Sequence, residues 1–126
     1  MAAAKAAKSM ANSAGPFRLV ILESPYAGDI EANVRYARAA LRDSLRRGEA
    51  PIASHLLYTQ EGVLRDEVPG ERALGIEAGL AWRDAAEAAV FYVDRGMSLG
   101  MREALRQYNE DGIPVFKRRL EPQGDQ

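Results

Sequence analysis

The sequence predicts an α/β protein built on a mainly parallel sheet. Three observations predict it: four short apolar runs read as strands, three stretches of helical periodicity lie between them, and turn or capping residues mark the junctions. Helices between consecutive strands imply parallel pairing through right-handed crossovers.

Residues 1–16 are rich in Ala, Lys and Ser, without the long apolar core of a signal peptide, and read as a disordered or partly helical leader. Residues 17–120 read as a single domain, followed by a polar tail over 121–126. Arg18 to Glu23 holds an apolar run that suits a strand buried on both faces. It ends in the turn cluster Ser24-Pro25-Tyr26-Ala27-Gly28, and Asp29 is a good N-cap for the first helix. Val34, Ala37, Leu41 and Leu45 fall at helical spacing and predict its core face, with Gly48 as the stop. Ala50 to Ser54 reads as a weaker strand, with Pro51 tolerated near its start. His55 to Gln60 leads into a polar loop through Gly70, and long loops in compact domains are often functional. Glu71 to Asp84 predicts a helix with a stripe of Leu74, Ala78, Ala81 and Trp82. Ala88 to Val93 is the clearest strand and ends at Asp94. Ser98 to Glu110 predicts the third helix, and Ile113 to Lys117 the last strand. Trp82 and Met101 are expected in the core.

The net charge of −1 gives no electrostatic reason to expect double-stranded nucleic acid or an anionic membrane as partner. There is no cysteine and one histidine, which excludes disulfides, thiolate metal sites and His-rich metal sites, so no metal is expected. No apolar run approaches the ~20 residues of a membrane-spanning helix, and a cytosolic location is the default reading.

In open parallel sheets, ligands bind outside the carboxyl ends of the strands, where strand order reverses. That rule selects residues 23–29, 54–58 and 94–103. Ser24, Pro25 and Gly28 form a turn that lets a ligand approach the backbone, and Asp29 opens a helix whose N-terminus suits phosphate or carboxylate. Neither a GxGxxG fingerprint nor a Walker loop is present. Tyr26 can stack on a base or stand as an ordinary loop tyrosine. His55 can bind phosphate, move a proton or simply tether its loop, with Tyr58 just beyond it. Asp94 can accept from a sugar hydroxyl or cap its own turn. Ser98 and Gly100 open another helix N-terminus. Glu103, one turn in, reads either as a nucleophile or as a surface glutamate.

The strand followed by Ser24-Pro25-Tyr26-Ala27-Gly28 and a helix carrying Asn33 and Ala37 resembles the opening of the nucleoside 2-deoxyribosyltransferase-like superfamily. Phe91-Tyr92-Val93-Asp94 with Ser98-Leu99-Gly100-Met101-Arg102-Glu103 resembles that superfamily's last site segment. Ser54 to Tyr58 and Glu71 to Gly75 look closer to a subgroup of small proteins, many from phages and prophages. The resemblance covers about Arg18 to Leu120. It implies a flavodoxin-like or Rossmann-like three-layer sandwich with four to five strands, and a nucleoside or nucleotide ligand. It further implies cleavage or exchange of an N-glycosidic bond without a cofactor, and a homodimer or higher homo-oligomer. Carried over by position, Glu103 is the nucleophile, Asp94 a sugar or base contact and Tyr26 the orienting phenol. Arg102 stands where the transferase pattern has its glutamate, with Glu103 one residue later. Arginine suits phosphate recognition, so a second reading is a non-catalytic nucleotide-binding protein that senses or sequesters its ligand. A third is an interaction protein that kept the fold and lost the site.

Overall fold

The four apolar runs become four strands, β1 (Arg18–Glu23), β2 (Glu49–Ile52), β3 (Ala88–Tyr92) and β4 (Val115–Arg118). All neighbours pair in parallel, in the order β2-β1-β3-β4. Four helices connect them: α1 (Ile30–Arg46), α2 (Ser54–Leu57), α3 (Pro69–Ala81), which runs into a 3-10 turn at Trp82–Asp84, and α4 (Leu99–Glu110). The computed structural model describes residues 17–120, and the expectations for 1–16 and 121–126 lie outside those residues.

Period-two alternation divides the core between the two sheet faces. Val20, Leu22, Val90 and Tyr92 pack with Ala40 of α1 on one face. Ile21, Ala89 and Phe91 pack with Met101, Ala104 and Tyr108 of α4 on the other, joined by Leu80 of α3. The result is the expected three-layer α/β arrangement, and β3 is buried at all five positions, as a strand covered on both faces must be. The N-cap read at Asp29 forms, and Ser98, read as the start of the third helix, caps it. Asp29 Oδ1 accepts from the Ala32 amide, and Ser98 Oγ accepts from the Met101 amide.

Four local expectations are corrected. The buried face of α1 is Asn33, Ala37, Ala40 and Ser44, with Leu45 in solvent. Small residues let this helix lie close to the sheet. The polar pair tolerates burial because Asn33 Nδ2 donates to the Tyr26 and Ala27 carbonyls and Ser44 Oγ donates to Glu49 Oε1. The second strand starts at Glu49, and Ser54 to Leu57 forms a helical turn, closed by the Leu57 amide on Ala53 O and the Tyr58 amide on Ser54 O. The second long helix starts at Pro69, a residue suited to a first helical position. Finally, Leu74 and Trp82 stay exposed, at 56% and 43%, whereas Met101 is buried as expected.

The orientation of α3 has a steric cause. It faces α2 through Gly79: a Cβ built there would lie 2.4 Å from Ser54 Oγ and 2.8 Å from Ser54 Cβ. Gly79→Ala is therefore expected to destabilise by about 1–3 kcal/mol through overpacking, despite alanine's helix propensity. Gly70→Ala, with nothing within 4 Å of its added methyl, is expected to be neutral or stabilising. Urea unfolding of the two variants checks the contrast.

A polar bridge crosses the α1 face of the sheet. Arg118 of edge strand β4 donates to both carboxylate oxygens of Glu49 on the opposite edge strand β2, at 2.9 and 3.0 Å. It also donates to Tyr92 Oη, which in turn donates to Asp43 Oδ2 on α1. At the strands' amino ends, a concavity of about 230 Å³ is lined by Arg18, Glu49, Glu87, Phe116 and Arg118, among others. Among the described residues, no helix is long and apolar enough to cross a membrane.

Candidate functional site

β2 and β3 lie on opposite sides of β1, so strand order reverses between β1 and β3. Two loops leave the sheet there, 24–29 after β1 and 93–98 after β3. Each turns on a glycine with positive φ, Gly28 at 97° and Gly96 at 85°, a conformation other residues adopt only with strain.

Residues of α1 tie the two loops together. Buried Asn33 donates to the carbonyls of Tyr26 and Ala27, and its Oδ1 accepts from Arg95 Nε at 2.8 Å. One turn later, Tyr36 Oη donates to Asp94 Oδ1 at 2.6 Å and accepts from the Asp94 amide. Asp94 Oδ1 also accepts from the Leu120 amide. Burial, reinforced by the hydrogen bond to the Asp94 carboxylate, pushes the Tyr36 phenol well up, so it remains a donor at any physiological pH. Asp94 thus ties the loop after β3 to α1 and to the backbone at Leu120.

A second cluster gathers at the ends of β1 and β2. Ser24 is buried, and its Oγ lies 2.7 Å from His55 Nε2. The Tyr26 ring meets His55 edge-on, with centroids 6.5 Å apart. Burial pushes the imidazole down to about 4, so His55 is neutral near pH 7 and can both donate and accept. The fold thus unites three predicted site residues that lie up to 31 positions apart.

The other predicted site residues go elsewhere or serve the scaffold. Pro25 is buried in the turn, and Gly28, Asp29, Gly100 and Arg102 are exposed. Asp29 and Ser98 use their side chains as N-caps. Tyr58 turns toward α3, where Trp82 Nε1 donates to its Oη. Glu103 lies on the outer face of α4, opposite Met101, Ala104 and Tyr108. Its carboxylate accepts from Arg106 and Gln107, which hold it down at about 2. Among the described residues, no three potential metal-binding side chains come together.

Residues 18–118 match the family model described as "Domain of unknown function (DUF7768)". The chain belongs to this family. No curated protein and no solved structure matches it. The DUF7768 match runs from the first residue of β1 to the last of β4, so both loops and every side chain that joins them lie within it.

One carboxyl of this DUF7768 domain was not singled out from its sequence. Glu23 closes β1 and turns under α4, where Tyr108 Oη donates to its Oε2 at 2.5 Å. Burial pushes it up to about 7, although the phenol pulls the other way. The available signal was an acidic residue ending a strand that is otherwise apolar on both faces.

Proposed function

We propose that this DUF7768 domain is a cytosolic nucleoside- or nucleotide-binding protein, with its ligand in the crevice at the carboxyl ends of β1 and β3. The observation that carries this reading is the convergence of Ser24, Tyr26 and His55 at the ends of β1 and β2, beside the Asn33-linked loops that leave the sheet where strand order reverses. Tyr26 offers a flat ring to a base. Neutral His55 offers a donor or acceptor to base or sugar, since its tautomer can follow the ligand. The resemblance to the deoxyribosyltransferase-like superfamily supports the same ligand class. It also implies cleavage by Glu103, but that carboxylate faces outward and is engaged by Arg106. Binding without cleavage is therefore the reading favoured here.

A thermal-shift panel of the common ribo- and deoxynucleosides and their 5′-monophosphates tests it. A ligand at 100 times its Kd is expected to add about 2.7 kcal/mol of stability, and Tyr26→Ala is expected to weaken the response. No stabilisation by any member at millimolar concentration contradicts the proposal. Release of free base that disappears in Glu103→Ala would replace it with the catalytic reading.

A further inference from the structure

Arg95 is an exposed arginine that is not free to wander. Its Nε–H donates to Asn33 Oδ1 at 2.8 Å. Asn33 is itself buried, and its Nδ2 is committed to two carbonyls of the loop after β1, each at 3.0 Å. The amide orientation is forced. Turning it over would set Oδ1 against the Tyr26 and Ala27 carbonyls and Nδ2 against a guanidinium that can only donate. A surface arginine normally loses considerable rotamer entropy when it grips a ligand. Here part of that ordering is already in place before a ligand arrives.

The anchor uses Nε alone, and Nη1 and Nη2 remain. Among the described residues, Arg95 has no ion-pair partner, although the chain holds 18 acidic residues. The nearest acid in sequence, Asp94, directs Oδ1 to Tyr36 and to the Leu120 amide. The acid at the start of α1, Asp29, accepts from the Ala32 amide. Through Asn33 the guanidinium is linked to the turn that leads into α1, whose first N–H groups favour an anion. A planar pair of charged donors, fixed at the rim and with no carboxylate on it among the described residues, matches the bidentate geometry of a phosphate.

We propose that Arg95 recognises a phosphate group, with Asn33 as its positioning residue, so that the ligand of this crevice is a nucleotide and not a free nucleoside. This rests on the nucleoside-type reading of the site given above.

The test is isothermal titration of the full chain with the 5′-monophosphates, the matching nucleosides and inorganic phosphate. At least one monophosphate is expected to bind tenfold or more tighter than its nucleoside. Arg95→Ala, an exposed change that should leave folding intact, is expected to abolish that preference while the nucleoside affinity stays within about twofold. Arg95→Lys keeps the charge but loses the fork and the Nε anchor, and is expected to recover only part of the preference. The positioning role predicts a slowly exchanging Arg95 Nε–H resonance in the free protein that is lost in Asn33→Ala. A monophosphate preference that survives Arg95→Ala, or equal affinity for monophosphate and nucleoside, overturns the assignment but leaves nucleoside binding standing. Inorganic phosphate binding as tightly as any monophosphate supports Arg95 and rejects the nucleoside. No binding in any arm rejects both.

Discussion

Arg118→Ala is expected to destabilise the domain by about 3–5 kcal/mol, the range for removing one partner of a buried ion pair. The side chains of Arg118 and Glu49 are only 15% and 4% exposed. Burial alone would raise the Glu49 carboxyl, but hydrogen bonds from Arg118 and Ser44 outweigh it and hold the carboxyl below its usual range. Without the guanidinium, a charged Glu49 keeps one hydrogen-bond donor, Ser44, and only the charge of Arg18 near it, and Tyr92 loses a donor and the cation over its ring. Because β2 and β4 are the two edges of the sheet, the loss should unlatch the whole α1 face. Arg118→Lys is expected to recover only part of the deficit, since an ammonium cannot hold both oxygens in the same fork. Replacing both partners with apolar residues of similar volume should cost less than the single change, because no charge is left stranded. Chemical denaturation of the three variants measures these differences. A cost below about 1 kcal/mol for Arg118→Ala would place the pair with ordinary surface ion pairs and reject this account.

Glu23→Gln is expected to stabilise the domain at pH 8, by up to about 3 kcal/mol, and to expose a hidden pH dependence. Glu23 is raised from 4.5 to about 7 in the fold. Between those values the folded state holds a proton that the unfolded chain releases. Its contribution is therefore complete below pH 4.5 and is lost as pH rises through 7. His55 is lowered from 6.5 to about 4. Its contribution is complete above pH 6.5 and is lost as pH falls through 4. The two slopes oppose one another, so the wild-type profile should be nearly flat from pH 4.5 to 6.5. Asp43 and Glu49 are both held below the usual carboxylate range and titrate beneath that window. With glutamine at position 23 the acid side of the profile remains, and stability should fall steadily from pH 6.5 to 4. Urea midpoints taken at half-unit intervals measure the profile. An unchanged profile in Glu23→Gln would show that the Tyr108 pairing leaves the carboxyl titrating near its ordinary value.

The strands and the parallel topology were legible because the relevant signals are local. The run from Leu19 to Leu22, the caps Asp29 and Ser98, and the stops at Gly48 and Gly112 each act within a few residues. Helix faces were less legible. Periodicity assigned Val34, Ala37, Leu41 and Leu45 to the core; Ala37 is buried there and Leu41 packs against it, but close approach also selected Asn33, Ala40 and Ser44 and left Leu45 in solvent. In α3 the same logic failed because two glycines, not the apolar stripe, define the contact side. For the candidate site, the strand-end rule found Ser24, Tyr26, His55 and Asp94. It gave no hint that Tyr58 turns to Trp82 or that Asn33, Tyr36 and Arg95 bind the rim together across up to 62 positions. Such pairings depend on which loops the fold brings side by side, and no spacing within one segment encodes that.

The most direct test of the central claim is amide chemical-shift mapping of the 15N-labelled chain, titrated with the nucleoside monophosphate that stabilises it most. Perturbations are predicted to concentrate in residues 24–30, His55 and residues 93–99, around the carboxyl ends of β1 and β3. Perturbations centred instead on Arg18, Ala88 and Phe116, at the opposite end of the strands, would contradict it.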